Sequence, residues 1–83
     1  MNKVLVEVKL PAAGLSYDIF VPDSMQVGTL TQLAGAVFAN LSGGVYAAGA
    51  NAVLCHQKTG VQYDANARLY ETDIRNGTKL LLF

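Results

Sequence analysis

The sequence predicts a single α+β domain in which one helix packs across a mixed sheet of four to five strands. Apolar residues recur at every second position through the first 21 residues, which is typical of strands. Between Val27 and Leu41 they recur at every third or fourth position, which is typical of a helix. A last apolar run, Leu80–Phe83, follows the turn signal Asn76–Gly77. A chain of 83 residues has no room for a second domain, so residues 1–83 form one unit.

Composition and charge exclude several classes of function. Six basic and six acidic residues cancel, and no cluster of Lys or Arg exists, which argues against nucleic acid as the main partner. The single cysteine, Cys55, excludes an internal disulfide and a multi-cysteine metal site, and fits a reducing compartment. Because the first ten residues alternate instead of forming the apolar block of a signal peptide, we expect a cytoplasmic protein.

The first two strands are predicted to form a hairpin. The turn residues Pro11–Gly14 separate two alternating segments, so that each strand has one apolar face. The residues expected to face the helix are Val4, Val6, Val8 and Leu10 on the first strand and Leu15, Tyr17, Ile19 and Val21 on the second.

The helix is predicted to begin after Pro22, which ends the second strand, with Asp23 or Ser24 as its cap. Ser42–Gly44 is expected to end it. The predicted apolar face consists of Val27, Leu30, Leu33, Ala34, Val37, Phe38 and Leu41. The opposite face, small and nearly uncharged, consists of Gly28, Thr31, Gln32, Gly35, Ala39 and Asn40.

The sequence does not decide whether Val45–Ala50 forms a loop or a helical turn. A short strand is predicted over Ala52–His56, and Val61–Tyr63 is expected to pair back onto it. The last strand is expected to lie centrally and to pair in parallel with the first, because an apolar strand at the sheet edge would fray. One helix and one sheet, each with one apolar face, then give the β-grasp arrangement.

Two groups of residues resemble a known family. The spacing of Leu69, Ile74, Leu80 and Leu82 is similar to that of ubiquitin-like domains. The junction of Val21-Pro22-Asp23 with Val27, Leu30, Leu33 and Ala34 resembles the YukD/EsaB-like branch, small ubiquitin-like proteins associated with type VII (WXG-type) secretion systems of Gram-positive bacteria. The resemblance covers essentially the whole chain.

This resemblance implies a non-enzymatic interaction module that is an accessory or regulatory component of such a system, with no cofactor, metal or small-molecule substrate. The sequence ends at Leu82-Phe83 without a Gly-Gly tail, and Gly43-Gly44 lies directly after the helix. We therefore expect neither conjugation nor sulfur carriage. A ubiquitin-like modifier or sulfur carrier, and a generic scaffold domain, remain the alternatives.

The outer face of the sheet is the predicted protein-binding surface. Alternation places four apolar residues on the side away from the helix, where a cluster would form a contact surface: Leu5, Phe20, Leu81 and Phe83. The alternatives are that they are scattered or covered by Val45–Ala50. A cytosolic part of a membrane secretion complex and a second copy of the chain are both compatible partners. The small helix residues Gly28, Gly35 and Ala39 form a weaker candidate contact.

Residues with catalytic potential are better explained by structural roles. Cys55 and His56 are adjacent in a strand, so their side chains point to opposite faces and cannot form a nucleophile–base pair. The carboxylates of Asp64, Glu71 and Asp73 are predicted to be solvated loop residues. The tyrosines, Tyr17, Tyr46, Tyr63 and Tyr70, are predicted to pack in the core or at its rim.

Overall fold

The computed structural model describes residues 2–44 and 52–83, and the segment Val45–Ala50 lies outside them. The main elements are β1 (Lys3–Leu10), β2 (Leu15–Pro22), α1 (Val27–Leu41), β3 (Leu54–His56) and β4 (Lys79–Leu82), with 3₁₀ turns at Pro11–Ala13 and Leu69–Glu71. The sheet order is β2-β1-β4-β3, with β1 and β4 parallel and the other pairs antiparallel. The central, parallel position predicted for the last strand is confirmed, and the architecture is a β-grasp.

The inward face of the hairpin follows the prediction except at the start of β2. All four inward residues of β1 are buried, as are Ile19 and Val21 of β2. Leu15 is only half-buried, and Tyr17 is 44% exposed. Because β2 is an edge strand, its side chains have strand neighbours on one side only, and the core covers just its second half.

The helix begins at Val27 without the side-chain cap that the sequence predicts. Its N-cap is Gln26, and neither Asp23 nor Ser24 donates or accepts a capping bond. Instead the first helical N–H groups donate to a later loop: Val27 to the carbonyl of Ala67 and Gly28 to that of Ala65, both at 2.8 Å. The loop backbone therefore satisfies donors that a helix start leaves unpaired.

The buried face of α1 is rotated from the predicted one. Leu33 is 39% exposed and Leu41 50% exposed, whereas Thr31 and Gly35, predicted to face away, are buried. The hydroxyl of Thr31 is satisfied by donating to the Val27 carbonyl at 2.9 Å. The full buried stripe is Val27, Leu30, Thr31, Ala34, Gly35 and Phe38.

The small-residue face of α1 is partly covered by the loop at Ala65. A methyl group at Gly28 would lie 3.1 Å from the carbonyl oxygen of Ala65, so a larger residue there would require the loop to shift by a few tenths of an ångström. The prediction that Gly28 and Gly35 offer a surface to an outside partner is therefore wrong at Gly28, which packs against the loop, and at Gly35, which is buried.

The segment after β3 pairs back as predicted, although by a single bridge. Cys55 forms a β-bridge with Gln62. The N–H of His56 donates to the carbonyl of Val61 at 2.9 Å, and the N–H of Tyr63 donates to the carbonyl of Leu54 at 3.0 Å. This segment therefore covers the outer edge of β3. No helix in the described part of the chain is long and apolar enough to cross a membrane. The apolar core consists of Val4, Val6, Val8, Leu10, Ile19, Val21, Val27, Leu30, Ala34, Phe38, Leu54, Leu69, Ile74, Leu80 and Leu82.

Candidate protein-binding surface

The four residues predicted for the outer sheet face occupy two separate places on it. Leu5 and Phe20 are direct cross-strand partners and are 43% and 62% exposed. Leu81 lies level with Lys9 instead, two residues further along the parallel strands than the pair of Glu7 with Lys79. Side chains on one face of a strand are two residues apart, so a whole row separates Leu81 from Leu5.

That intervening row is charged. Glu7 lies between Asp18 on β2 and Lys79 on β4. Charged groups stay hydrated, so this row keeps the outer face from forming one continuous apolar cluster. The surface therefore has two patches, named here the Phe20 patch (Leu5, Phe20 and Tyr70) and the Phe83 patch (Leu81 and Phe83).

The Phe20 patch is held by bonds to its backbone and by a nearby cation. The N–H of Leu5 donates to Oδ1 of Asn76 at 2.8 Å, and its carbonyl accepts from Gly77 at 2.8 Å. The Lys3 ammonium lies 5.7 Å from the centroid of the Phe20 ring, within the range of a cation–π contact. The patch thus combines exposed apolar surface with a nearby positive charge.

Tyr70 extends this patch and was missed as a surface residue. It is 56% exposed and shares with Phe20 an open groove at this end of the molecule. Its N–H donates to the Asp23 carbonyl at 3.0 Å, which fixes it after the buried Leu69. The signal in the sequence is the pairing of Leu69 with Tyr70, because a short turn can bury only one of two adjacent large side chains.

A second cation borders the groove. The Nη1 atom of Arg75 donates to the carbonyls of Thr72 and Ile74, both at 2.7 Å, so the guanidinium is tied to its own loop. The groove is lined by Asn2, Lys3, Val4, Phe20, Asp23, Tyr70, Ile74, Arg75 and Asn76.

The Phe83 patch lies at the other end of the sheet. Leu81 is half-buried between Lys9 on β1 and Cys55 on β3, whereas Phe83 is 59% exposed. The N–H and carbonyl of Phe83 each bond to Val53 at 3.0 Å, so this residue continues the sheet beyond β4. The patch is smaller than the Phe20 patch, and Phe83 supplies most of its exposed surface.

The Cys55–His56 pair has the structural role that was predicted. Cys55 is buried, whereas Nδ1 of His56 accepts the Lys58 N–H at 3.0 Å within a turn. The imidazole therefore stabilises the turn and is not aligned with the thiol. Among residues 2–44 and 52–83, no three histidine, cysteine or acidic side chains come close enough to share a metal ion.

The loop carboxylates all have structural partners. Asp64 accepts the Asn66 N–H at 2.9 Å and Glu71 the Arg68 N–H at 2.8 Å. Asp73 accepts the hydroxyl of Tyr63 at 2.7 Å. Burial and this bond to Asp73 raise the pKa of Tyr63 above its ordinary value. These contacts order the loops, as expected of solvated structural residues.

No family model matches the sequence, and no curated protein matches it. Solved structures do match. A chain of the MycP5-free ESX-5 inner membrane complex superimposes with a TM-score of 0.78 at 20% identity, over 98% of this chain but 20% of that chain. The present sequence thus spans about a fifth of that component.

Two further matches cover most of both chains. The ubiquitin of Caldiarchaeum subterraneum matches 98% of this chain and 91% of its own, with a TM-score of 0.77 at 13% identity. The ubiquitin-like domain of an Arabidopsis thaliana protein matches 100% of this chain and 78% of its own, with a TM-score of 0.73 at 19% identity. At these identities the likeness establishes the fold, which is a ubiquitin-like β-grasp.

Proposed function

We propose that this chain is a non-enzymatic ubiquitin-like interaction module, an accessory or regulatory component of a bacterial type VII secretion system. The observation that carries the proposal is the match of nearly its whole length to part of the ESX-5 inner membrane complex. The resemblance of the Val21–Ala34 segment to YukD/EsaB-like proteins of Gram-positive bacteria supports the same role. The proposed location is the cytoplasm.

The burial and contacts of the side chains with catalytic potential support a non-enzymatic role. Cys55 is buried, and His56 is engaged by a backbone N–H. The three loop carboxylates each hold a neighbouring group. A nucleophile or general base needs a free, aligned partner, and none of these groups has one within residues 2–44 and 52–83.

The proposed contact surface is the outer sheet face, at Leu5, Phe20, Leu81 and Phe83. The Phe20 patch is its main part, because it has more exposed apolar area and a positive charge at Lys3. Aromatic side chains dominate the energy of many protein interfaces, which supports Phe20 as the anchor. The proposed partner is a cytosolic part of the membrane secretion complex.

To test this proposal, the gene is deleted in the source bacterium and the deletion is complemented with the wild-type gene or with variants. Secretion is then measured in each strain. The readout is the amount of WXG-family protein exported, measured by immunoblot of culture supernatants. We expect deletion to reduce export, the wild-type gene to restore it, and Leu5→Asp or Phe20→Asp to fail. Leu33→Asp is the matched control, since Leu33 is similarly exposed but lies on the helix.

Two results would contradict the proposal at different points. Unchanged export after deletion would refute the secretion role and favour a generic scaffold domain. Restored export by Leu5→Asp, with a native circular dichroism spectrum, would refute the surface assignment but not the role. For the modifier or sulfur-carrier alternative, the intact mass of the protein isolated from cells would show a conjugate or thiocarboxylate.

A further inference from the structure

The sheet has one edge that nothing in the described part of the chain covers. On the β3 side, the segment Val61–Tyr63 pairs with the outer edge. On the other side lies β2, which spans eight residues from Leu15 to Pro22 and pairs only with β1 among residues 2–44 and 52–83. A long unpaired edge is a template for another strand.

The backbone groups that face outward on β2 follow from the bonds of β1. The N–H of Leu5 donates to Asn76 and that of Glu7 to Thr78, both on the β4 side of β1. Their cross-strand partners, Phe20 and Asp18, therefore point their own N–H and carbonyl groups away from β1. By the same period of two, so do Ser16 and the carbonyl of Pro22. Among the described residues, the Pro22 carbonyl accepts the Met25 N–H at 3.1 Å, whereas no bond is found to the outward groups of Ser16, Asp18 and Phe20.

We propose that this edge pairs in antiparallel fashion with β2 of a second copy of the chain, which joins the two sheets into one. The chain's formal net charge is zero, so two copies do not repel each other. The edge also lacks the usual protection against pairing, because Asp18 is its only charged residue and Pro22 removes an N–H only at its end. This inference does not depend on the secretion role.

Charge and strand length favour a two-fold axis at Ile19 over an axis at Asp18 or at Phe20. A two-fold axis at Asp18 would place two carboxylates directly opposite each other, which is unfavourable. An axis at Phe20 would leave Ser16 opposite Ser24, which lies beyond the end of β2. An axis at Ile19 avoids both faults and forms about six inter-strand hydrogen bonds: about four between Asp18 and Phe20, and about two from the Ser16 N–H to the Pro22 carbonyl, which also accepts the Met25 N–H of its own copy.

The register centred on Ile19 is also complementary in its side chains. On the outer face, Asp18 lies opposite Phe20 of the second copy, whose ring has the Lys3 ammonium 5.7 Å from its centroid, so opposite charges approach twice. On the inner face, Ile19 meets Ile19 of the second copy, and Tyr17 meets Val21. This pairing covers the Tyr17 ring, which is 44% exposed in the single chain.

The first test measures association by sedimentation equilibrium across micromolar to millimolar concentrations of the chain. We expect the wild type to dimerise. Asp18→Pro removes an outward N–H without breaking a bond to β1, so it should weaken the dimer by about a hundredfold. Asp18→Thr is the matched control, because it removes the same charge but keeps the N–H, and should dimerise more tightly than Asp18→Pro.

Ser16→Pro provides a second block of the edge in case Asp18→Pro does not fold, as judged by circular dichroism. A wild type that stays monomeric at millimolar concentration would overturn the proposal, and would leave an extended peptide from another protein as the occupant of the edge. A dimer that persists unchanged in a folded proline variant would overturn it as well.

The second test needs no substitution. In a mixture of differently isotope-labelled chains, an intermolecular NOE between the Hα atoms of Tyr17 and Val21 is expected, because these residues form a close, non-hydrogen-bonded pair across the interface. Within one chain they are four strand positions apart and too distant for such a signal. A dimer without this NOE would refute the pairing centred on Ile19.

Discussion

The backbone N–H of Leu5 donates to the side-chain oxygen of Asn76 at 2.8 Å, a contact between residues 71 positions apart. The next residue, Gly77, donates its N–H to the Leu5 carbonyl, also at 2.8 Å, and has a positive φ of 84°. The Asn76–Gly77 turn therefore extends the β1–β4 ladder by one side chain. These two bonds hold the backbone of Leu5, which belongs to the Phe20 patch, in place.

Asn76→Ala should destabilise the domain by about 1 kcal/mol, because the Leu5 N–H loses its acceptor at a partly accessible site. Urea unfolding followed by circular dichroism measures this change. Asn76→Asp keeps an acceptor oxygen at the same place and should stay closer to the wild type. Equal stability of Asn76→Ala and the wild type would show that water replaces the side chain at no cost.

A matched pair of leucines tests which face of α1 is buried. Leu30 is fully buried in the core, whereas Leu33, three residues later, is 39% exposed. Leu30→Ala should therefore lower the free energy of unfolding by about 3 kcal/mol through loss of packing and a residual cavity. Leu33→Ala should lower it by less than about 1 kcal/mol. A similar loss in both variants would contradict the observed rotation of the helix.

The rotation of α1 shows why periodicity predicted the helix but not its buried face. Apolar residues at 27, 30, 33, 34, 37, 38 and 41 lie within an arc of about 140° on the helix, and the buried stripe occupies an arc of similar width that is rotated by about 60°. The loop at Ala65–Ala67 bonds to the start of the helix and packs on Gly28, so a contact outside the helix accompanies this rotation. That contact is forty residues distant in the chain and leaves no local signal.

The outer face of the sheet shows the same limit of prediction from the sequence. Alternation predicted which side of each strand is apolar, because the period of two is fixed by strand geometry. It did not predict that Leu81 lies level with Lys9, since the relative position of two parallel strands depends on the connection between them. The division into two patches, and the addition of Tyr70 to one of them, follow from that register and from the turn at Leu69–Glu71.

Gly28 offers a test of the loop that packs on the start of the helix. Replacing glycine by alanine in a helix usually stabilises it by up to about 1 kcal/mol. Here the new methyl group would lie 3.1 Å from the Ala65 oxygen, so the gain should be cancelled by the displacement of the loop. Chemical denaturation of Gly28→Ala should show no net stabilisation. Thr29→Ala, at the exposed neighbouring position, is the control that keeps its helix-propensity gain.

Tyr63 makes the stability of the domain sensitive to alkaline pH. Its pKa is raised in the fold, first by burial and then by the bond to Asp73. An unfolded tyrosine loses its proton near pH 10, so above that pH the folded chain holds more protons than the unfolded chain. Linkage then requires stability to be unaffected by this group below about pH 10 and to fall as the pH rises further.

Tyr63→Phe should therefore flatten the decline in stability above about pH 10, although it also removes the hydrogen bond to Asp73 and is expected to be less stable than the wild type at pH 7. Urea unfolding of both proteins between pH 7 and pH 11 measures the two slopes. Tyr70→Phe is the control, because it removes the same hydroxyl group from a side chain that is 56% exposed. Parallel slopes for Tyr63→Phe and the wild type would mean that the hydroxyl of Tyr63 titrates in the fold as it does in the unfolded chain.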